Sequence, residues 1–505
     1  MTDVTAGLLT DLLEAGADGS PALVTAETGE TLSYLELRTA AADLAGRLAA
    51  LGVGRGSRVA LVLPDGPDFL RVLLALVSLG ATAAPLNPAY KRDEYEFYLD
   101  DLKPELLLVP EGELQAAREA AGETIRTIDV ASDPGGPLLR EGGQTLETSQ
   151  AFEPASADDV ALLLHTSGTT SRPKQVPLRQ RNLSASAHTI AAFYDLGPDD
   201  VSYCAMPLFH VHGLVASTFG ALAGGGTVVV PRRLAPRAFW EQLRRHGVTW
   251  FSAGPTLHQM ILERMDAEGA PSSLRFARSC SSALTPALMA RAEEALGAPL
   301  VEAYGMTEAS HQMASNPLPP GERKPGSVGL PTGVEIRIVD ADGRSVEPGA
   351  AGEVAIRGPG VTDGYLANPE ANAASFFDGW FRTGDRGTLD AEGYLRLEGR
   401  LKEMILRGGE NISPYEIEEV LLAHPAVSDA ICFGVDDEKY GERVGAAVAV
   451  GEPVEPGELI AYCRERMAAF KVPEVVHILD AIPRTATGKV QRKRVGEALS
   501  AQTGS

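Results

Sequence analysis

Only four cysteines occur in the 505-residue sequence, Cys204, Cys280, Cys432 and Cys463, and none stands in a CxxC spacing. That pattern offers neither a disulfide framework nor a zinc motif, and it suits a reducing compartment such as the cytoplasm. Long apolar runs are missing too, so no membrane span is expected. The N-terminal stretch 1–16 carries acids where a signal peptide carries bases. The tail 501–505 matches neither a peroxisomal nor a retention signal. Basic residues are outnumbered: 45 Lys and Arg against 68 Asp and Glu give a net charge of −23. Nucleic acid and anionic membrane are therefore poor candidates for the main partner. A polyanionic ligand must be met by a locally basic site instead. No internal repeat or low-complexity segment is present, and nothing gives the oligomeric state.

What is present is length and rhythm. A chain of 505 residues exceeds one compact core, so two or more domains are expected. Residues 59–63, 81–85 and 106–109 read as short apolar strands, alternating with helical patterns at 69–79 and 92–102. That is a βαβ rhythm, which implies a parallel sheet covered by helices. It recurs over 160–230 and 249–304. Around 334–357 the helices drop out and short strands separated by Gly, Asp and Pro suggest a β-rich subdomain. After residue 400 the style changes again. Ser413-Pro414-Tyr415-Glu416 reads as a capping box opening a helix, with Ile417, Val420 and Leu421 on its buried face. Strands at 427–435 and 475–479 and a helix at 458–467 complete a small α+β unit. The fold class is α/β: a large N-terminal domain, 1–400, of two layered βαβ subdomains plus a β-rich one, then a small C-terminal domain, 401–505.

Four motifs carry chemistry. His165-Thr166-Ser167-Gly168-Thr169-Thr170-Ser171-Arg172-Pro173-Lys174 follows an apolar strand and offers hydroxyls, backbone N–H groups and a cation to phosphate oxygens. It lacks the Gly-Lys-Ser/Thr of a Walker loop. Glu302-Ala303-Tyr304-Gly305-Met306-Thr307-Glu308 lies at the carboxyl end of another strand, where α/β proteins bind ligands. Its ring can stack on a base, and Glu308 can hold Mg²⁺ through oxygen. Trp380-Phe381-Arg382-Thr383-Gly384-Asp385, followed by Gly399-Arg400-Leu401-Lys402-Glu403, offers a carboxylate to a ribose diol. Pro483-Arg484-Thr485-Ala486-Thr487-Gly488-Lys489 puts a lysine on a glycine-containing loop. Taken singly, each is also compatible with an ordinary polar turn or packed corner.

Together, in this order, the four resemble the AMP-forming adenylate superfamily of acyl-CoA synthetases, peptide-synthetase adenylation domains and firefly-type luciferases, over essentially the whole chain. The resemblance implies ATP, Mg²⁺ and CoA. It assigns Thr166, Ser167, Gly168, Thr169, Thr170 and Lys174 to the β- and γ-phosphates. Ser282, Ala283, Glu302 and Tyr304 fall to the adenine, Thr307 to the α-phosphate, Glu308 to the metal, and Asp385 with Arg400 to the ribose. Lys489 would bridge the acid and the α-phosphate, so that the catalytic set is Lys489, Thr307 and Glu308. Lys402 matches the hinge of a mobile small domain, and Gly408 with Gly409 the CoA arm. Two departures stand out: Ser171 and Gln175 replace glycines usual in the phosphate loop, which is expected to stiffen it.

Met206-Pro207-Leu208-Phe209-His210-Val211-His212-Gly213-Leu214 falls at the acyl pocket of that family. No third ligand lies near the His-x-His, so a metal is not expected there. His210, His212, Ser281 and His311 are too polar for a fatty tail, whose burial would leave their polar groups unsatisfied. They resemble the oxalate–CoA ligase branch, as does the Ser171-Arg172 variant of the phosphate loop. Oxalate, converted to oxalyl-CoA, is thus the expected small carboxylic acid substrate, with a protonated histidine expected to help hold its second charge. Coumarate-like, malonate and medium-chain ligases, a carrier-protein acceptor, and a non-catalytic nucleotide binder stay open as alternatives.

Overall fold

In the computed structural model the described residues are 7–133, 135–166, 173–408, 410–437, 439–484, 490 and 492–503. Val59, Ala60 and Leu61 are fully buried, as a strand covered on both faces requires. Strand Arg58–Leu61 is flanked in parallel by Thr82–Pro85 and Leu106–Pro110. Arg126–Ala131 and Val160–Thr166 extend this sheet, which has eight strands. The intervening helices span Pro67–Ser78 and Arg92–Leu102. The first begins two residues before the expected start. Pro67 occupies the opening position, where its missing N–H has no helical partner to lose.

A second sheet, of nine strands, carries the site. Its strands Trp250–Ala253, Phe276–Ser279 and Leu300–Met306 run parallel, side by side. Alternation along them divides the core. Trp250, Phe276 and Val301 join the larger cluster, whereas Phe251, Ala277 and Leu300 pack on the opposite face. Antiparallel strands Glu335–Val339, Gly352–Arg357, Trp380–Leu389 and Leu395–Arg400 make the β-rich subdomain.

The C-terminal unit has its own core, which includes Ile405, Ile417, Leu421, Cys432 and Val448. Strand Leu395–Arg400 passes directly into the turn Leu401–Glu403. Strands Val427–Asp437 and Gly441–Val450 pair antiparallel, and Val475–Leu479 lies parallel to the second. Ser413 does cap helix Pro414–Leu422, its hydroxyl accepting from the Glu416 N–H at 3.4 Å. The other half of the expected box is absent, because the Glu416 carboxylate reaches Lys471 at 2.7 Å. The helix expected over 458–467 runs Pro456–Arg464, again opened by a proline.

Candidate active site

The carboxyl ends of the three parallel strands open into a cavity of about 1790 Å³ between the large and small domains. Thr166, Lys174, Ser282, Ala283, Glu302, Tyr304, Thr307, Glu308, Asp385 and Arg400 all line it. Four segments far apart in sequence thus meet around one space. Asp385 and Arg400 face each other on paired strands, with Arg400 Nε 3.4 Å from Asp385 Oδ1. The other Asp385 oxygen accepts from the Tyr304 hydroxyl, so the carboxylate already has partners on both oxygens.

Burial shapes the charges here. Glu302 Oε1 accepts from the Leu284 N–H at 3.0 Å, which ties the 281–284 segment to its strand. Glu302 Oε2 is buried without a partner among the described residues. Desolvation raises this carboxyl from 4.5 to about 8. Desolvation likewise raises Glu308, which accepts from the Tyr365 hydroxyl at 2.9 Å. Lys174 stands over the same Tyr365 ring, 4.3 Å from its centre. Burial lowers its pKa, while Glu308 pulls it back up. Glu308 is therefore a desolvated carboxyl whose charge is favoured by the neighbouring Arg400 and Lys174.

His210, Ser281 and His311 line the far side of the same cavity. His212 does not. It lies behind Ser281, with Nδ1 2.9 Å from Ser281 Oγ and Nε2 2.7 Å from Ser252 Oγ. Its ring is 5.0 Å from that of His311. Beneath both is Arg278, 0% exposed. Its guanidinium donates to Tyr194 Oη (2.9 Å), Ser252 Oγ (2.9 Å) and Gln312 Oε1 (3.0 Å), and lies 3.4 Å from His311 Nδ1. It also donates to the Cys280 thiol, which burial keeps protonated. Every one of these partners is neutral. Among the described residues no carboxylate pairs with this buried cation. Desolvation, then Arg278, holds both His212 and His311 well below 6.5. His212 and His311 are thus neutral, and the permanent positive charge behind them is that of Arg278.

A model of the AMP-binding enzyme family matches residues 14–366, and one of the AMP-binding enzyme C-terminal domain matches 416–489. The chain belongs to the AMP-binding enzyme family. A probable CoA ligase of Humulus lupulus is 46% identical over 98% of this chain and 97% of its own. An oxalate–CoA ligase of Arabidopsis thaliana is 45% identical over 98% of both. The crystal structure of ATP-bound MatB from Rhodopseudomonas palustris superposes with a TM-score of 0.89 at 30% identity, covering 98% of this chain and 99% of that one.

In this AMP-binding enzyme the small domain turns Arg484 and Val490 toward the cavity, the residues flanking the segment that holds Lys489. Lys489 itself, Ser167, Gly168, Thr169, Thr170, Ser171 and Gly409 lie outside the described residues. Lys402 lines the cavity; Gly408 does not, its N–H donating to the Tyr440 carbonyl at 2.7 Å. Gln175, on the strand leaving the phosphate loop, donates to the Asp101 carbonyl at 2.7 Å and to its carboxylate at 2.5 Å. Lys174 and Thr166 face each other across antiparallel strands at the foot of that loop. Ser252 and Tyr365 are members of the site that no motif reaches, whereas Arg278 opens the polar run Arg278-Ser279-Cys280-Ser281-Ser282, which points to the pocket without giving the arginine a role. Arg278 did leave a signal: a charged residue alternating with Phe276 in a strand buried on both faces.

Proposed function

We propose that this AMP-forming CoA ligase activates oxalate, forming oxalyl-adenylate from ATP and then oxalyl-CoA. The observation that carries the choice of acid is Arg278, a buried cation with only neutral partners, set behind donors that line the pocket. A buried charge without a counterion is costly, and a small dianion relieves that cost when it binds nearby. The neutral pair His212 and His311 supports the same reading, since each has a hydrogen bond to give in that direction. The 45% identity to an oxalate–CoA ligase supports it independently.

In this reading the phosphate loop, Thr166 to Thr170 with Lys174, takes the β- and γ-phosphates. Thr307 meets the α-phosphate, and Asp385 and Arg400 meet the ribose. Ser282, Ala283, Glu302 and Tyr304 frame the base. Glu308 would hold Mg²⁺, which supplies charge neutralisation at the phosphates. Lys489 brings the acid and the α-phosphate together, and an oxygen of the acid attacks phosphorus as pyrophosphate leaves. No protein nucleophile is required; positioning and charge suffice. The small domain, 401–505, then turns about Lys402, so that Gly408 and Gly409 admit the CoA arm. Its thiol attacks the acyl carbon and AMP departs. Mass spectrometry of a reaction containing oxalate, ATP, Mg²⁺ and CoA should find oxalyl-CoA and AMP in equal amounts. Their absence, with another acid turned over by the same preparation, would remove oxalate from this account.

A further inference from the structure

We propose that Arg278 and Ser252 are positioning residues that fix the direction of the hydrogen bonds behind the acid pocket, so that Ser281 and His311 both meet the substrate as donors. This rests on the reading of the pocket as a site for a small dianionic acid, and deepens it.

A guanidinium has five N–H groups and no acceptor, so every partner of Arg278 must accept. Ser252 Oγ, 2.9 Å from Nη1, therefore accepts there, and its single hydrogen is left to donate. Its remaining partner is His212 Nε2, at 2.7 Å. A neutral imidazole has one donor and one acceptor nitrogen. With Nε2 accepting, the proton of His212 sits on Nδ1 and is given to Ser281 Oγ at 2.9 Å. Ser281 then has its own hydrogen free, and its side chain lines the cavity. The opposite tautomer would make Ser252 accept twice and strand its buried hydrogen.

The second branch is shorter. His311 Nδ1, 3.4 Å from Nη2, can only accept from Arg278, which leaves Nε2 as the protonated nitrogen. The local backbone is committed to this arrangement: Ser281 holds φ +78 and His311 φ +105, conformations unfavourable for side chains with a Cβ. Both branches end on donors, and both begin on one permanent positive charge. Hydrogen bonds aligned head to tail polarise one another, so the charge of Arg278 is felt at Ser281 although its guanidinium lies two side chains back. An acid with a second carboxylate satisfies these donors. An acid with an aliphatic or aromatic tail leaves them empty, which is the costly outcome.

The test is nitrogen NMR of the full chain labelled at histidine, with His212 and His311 assigned through H212Q and H311Q. The wild type should show His212 protonated on Nδ1 and His311 on Nε2, neutral at pH 7. Ser252→Ala should disturb the His212 tautomer and raise KM for oxalate about tenfold or more, with KM for ATP little changed. Ser252→Thr, which restores the hydroxyl, should recover both. His212 protonated on Nε2 in the wild type, or a Ser252→Ala enzyme with unchanged tautomer and unchanged KM, would overturn the proposal. The tautomers are read without substrate, so a failure of oxalate as the acid would appear separately, in the turnover assay.

Discussion

At the scale of single residues, the acid pocket shows how far a motif carries and where contact takes over. His210, His311 and Ser281 were legible as pocket residues, because polar side chains at an acyl site have no other easy purpose. His212 shares their sequence pattern yet lies one layer back, bonded on both nitrogens. Nothing local to Phe209-His210-Val211-His212 says which of the two histidines faces the cavity; that depends on packing against strand Trp250–Ala253. The lack of a carboxylate around Arg278 is a long-range fact, which no local pattern carries. The two histidines also set a pH expectation. Both are held well below 6.5, so neither changes charge between pH 6.5 and 8. Oxalate use measured as kcat/KM should therefore show no loss with an apparent pKa near 6.5. Their protonation opposes folding, so the stability they contribute is present above 6.5 and declines as pH falls below it. A loss of activity as pH rises through about 6.5 would restore the protonated histidine.

Glu302 gives a second residue-scale test, with the opposite sign. Its carboxyl is raised from 4.5 to about 8, so the folded chain keeps a proton that the unfolded chain has lost. Stability from this group is full below 4.5 and is lost as pH climbs to about 8. Glu302→Gln keeps the shape without the charge. Its melting temperature should gain on the wild type between pH 6 and 8.5, by several degrees. Parallel curves for the two proteins would mean Glu302 is already ionised when folded.

At the scale of elements, the sequence marked the starts and ends of most strands and helices that hold the site, and helix Arg92–Leu102 falls on the residues expected. The misses have a common cause. Pro67 and Pro456 each open a helix ahead of its apolar periodicity, which by itself marks a later start. Glu416 completes an ion pair with Lys471 rather than a capping box, a partner 55 residues away. Gln175 is anchored to Asp101, 74 residues back, a partner that no local pattern names. The roles proposed for Lys402 and Lys489 make paired predictions. Lys402→Pro fixes one backbone torsion and removes an N–H, so adenylate formation should survive while thioester formation falls at least about a hundredfold. Lys489→Ala should do the reverse, losing adenylation by about three orders of magnitude while sparing transfer from synthetic oxalyl-adenylate. Single-turnover assays of each half-reaction decide both. Equal losses in the two steps, in a folded variant, would contradict the roles given to these residues.

At the scale of the whole molecule, a net charge of −23 surrounds a cavity whose working cations are local: Lys174, Arg400, Lys402 and the buried Arg278. No helix among the described residues is long and apolar enough to cross a membrane. The order of motifs in one dimension gave the family, because each motif sits at a strand end or domain junction that the fold brings to the same space. The expectation of oxalate came from the polar residues at the acyl site and the Ser171-Arg172 variant; the structure adds the surroundings of one buried guanidinium, which support it. The most direct measurement is AMP release with saturating ATP and CoA, comparing kcat/KM for oxalate with that for malonate, acetate, coumarate and octanoate. Oxalate should lead, malonate should come next at about a tenth of its value or less, and acids without a second carboxylate should fall further behind. A clear preference for coumarate or octanoate would contradict the account of the pocket.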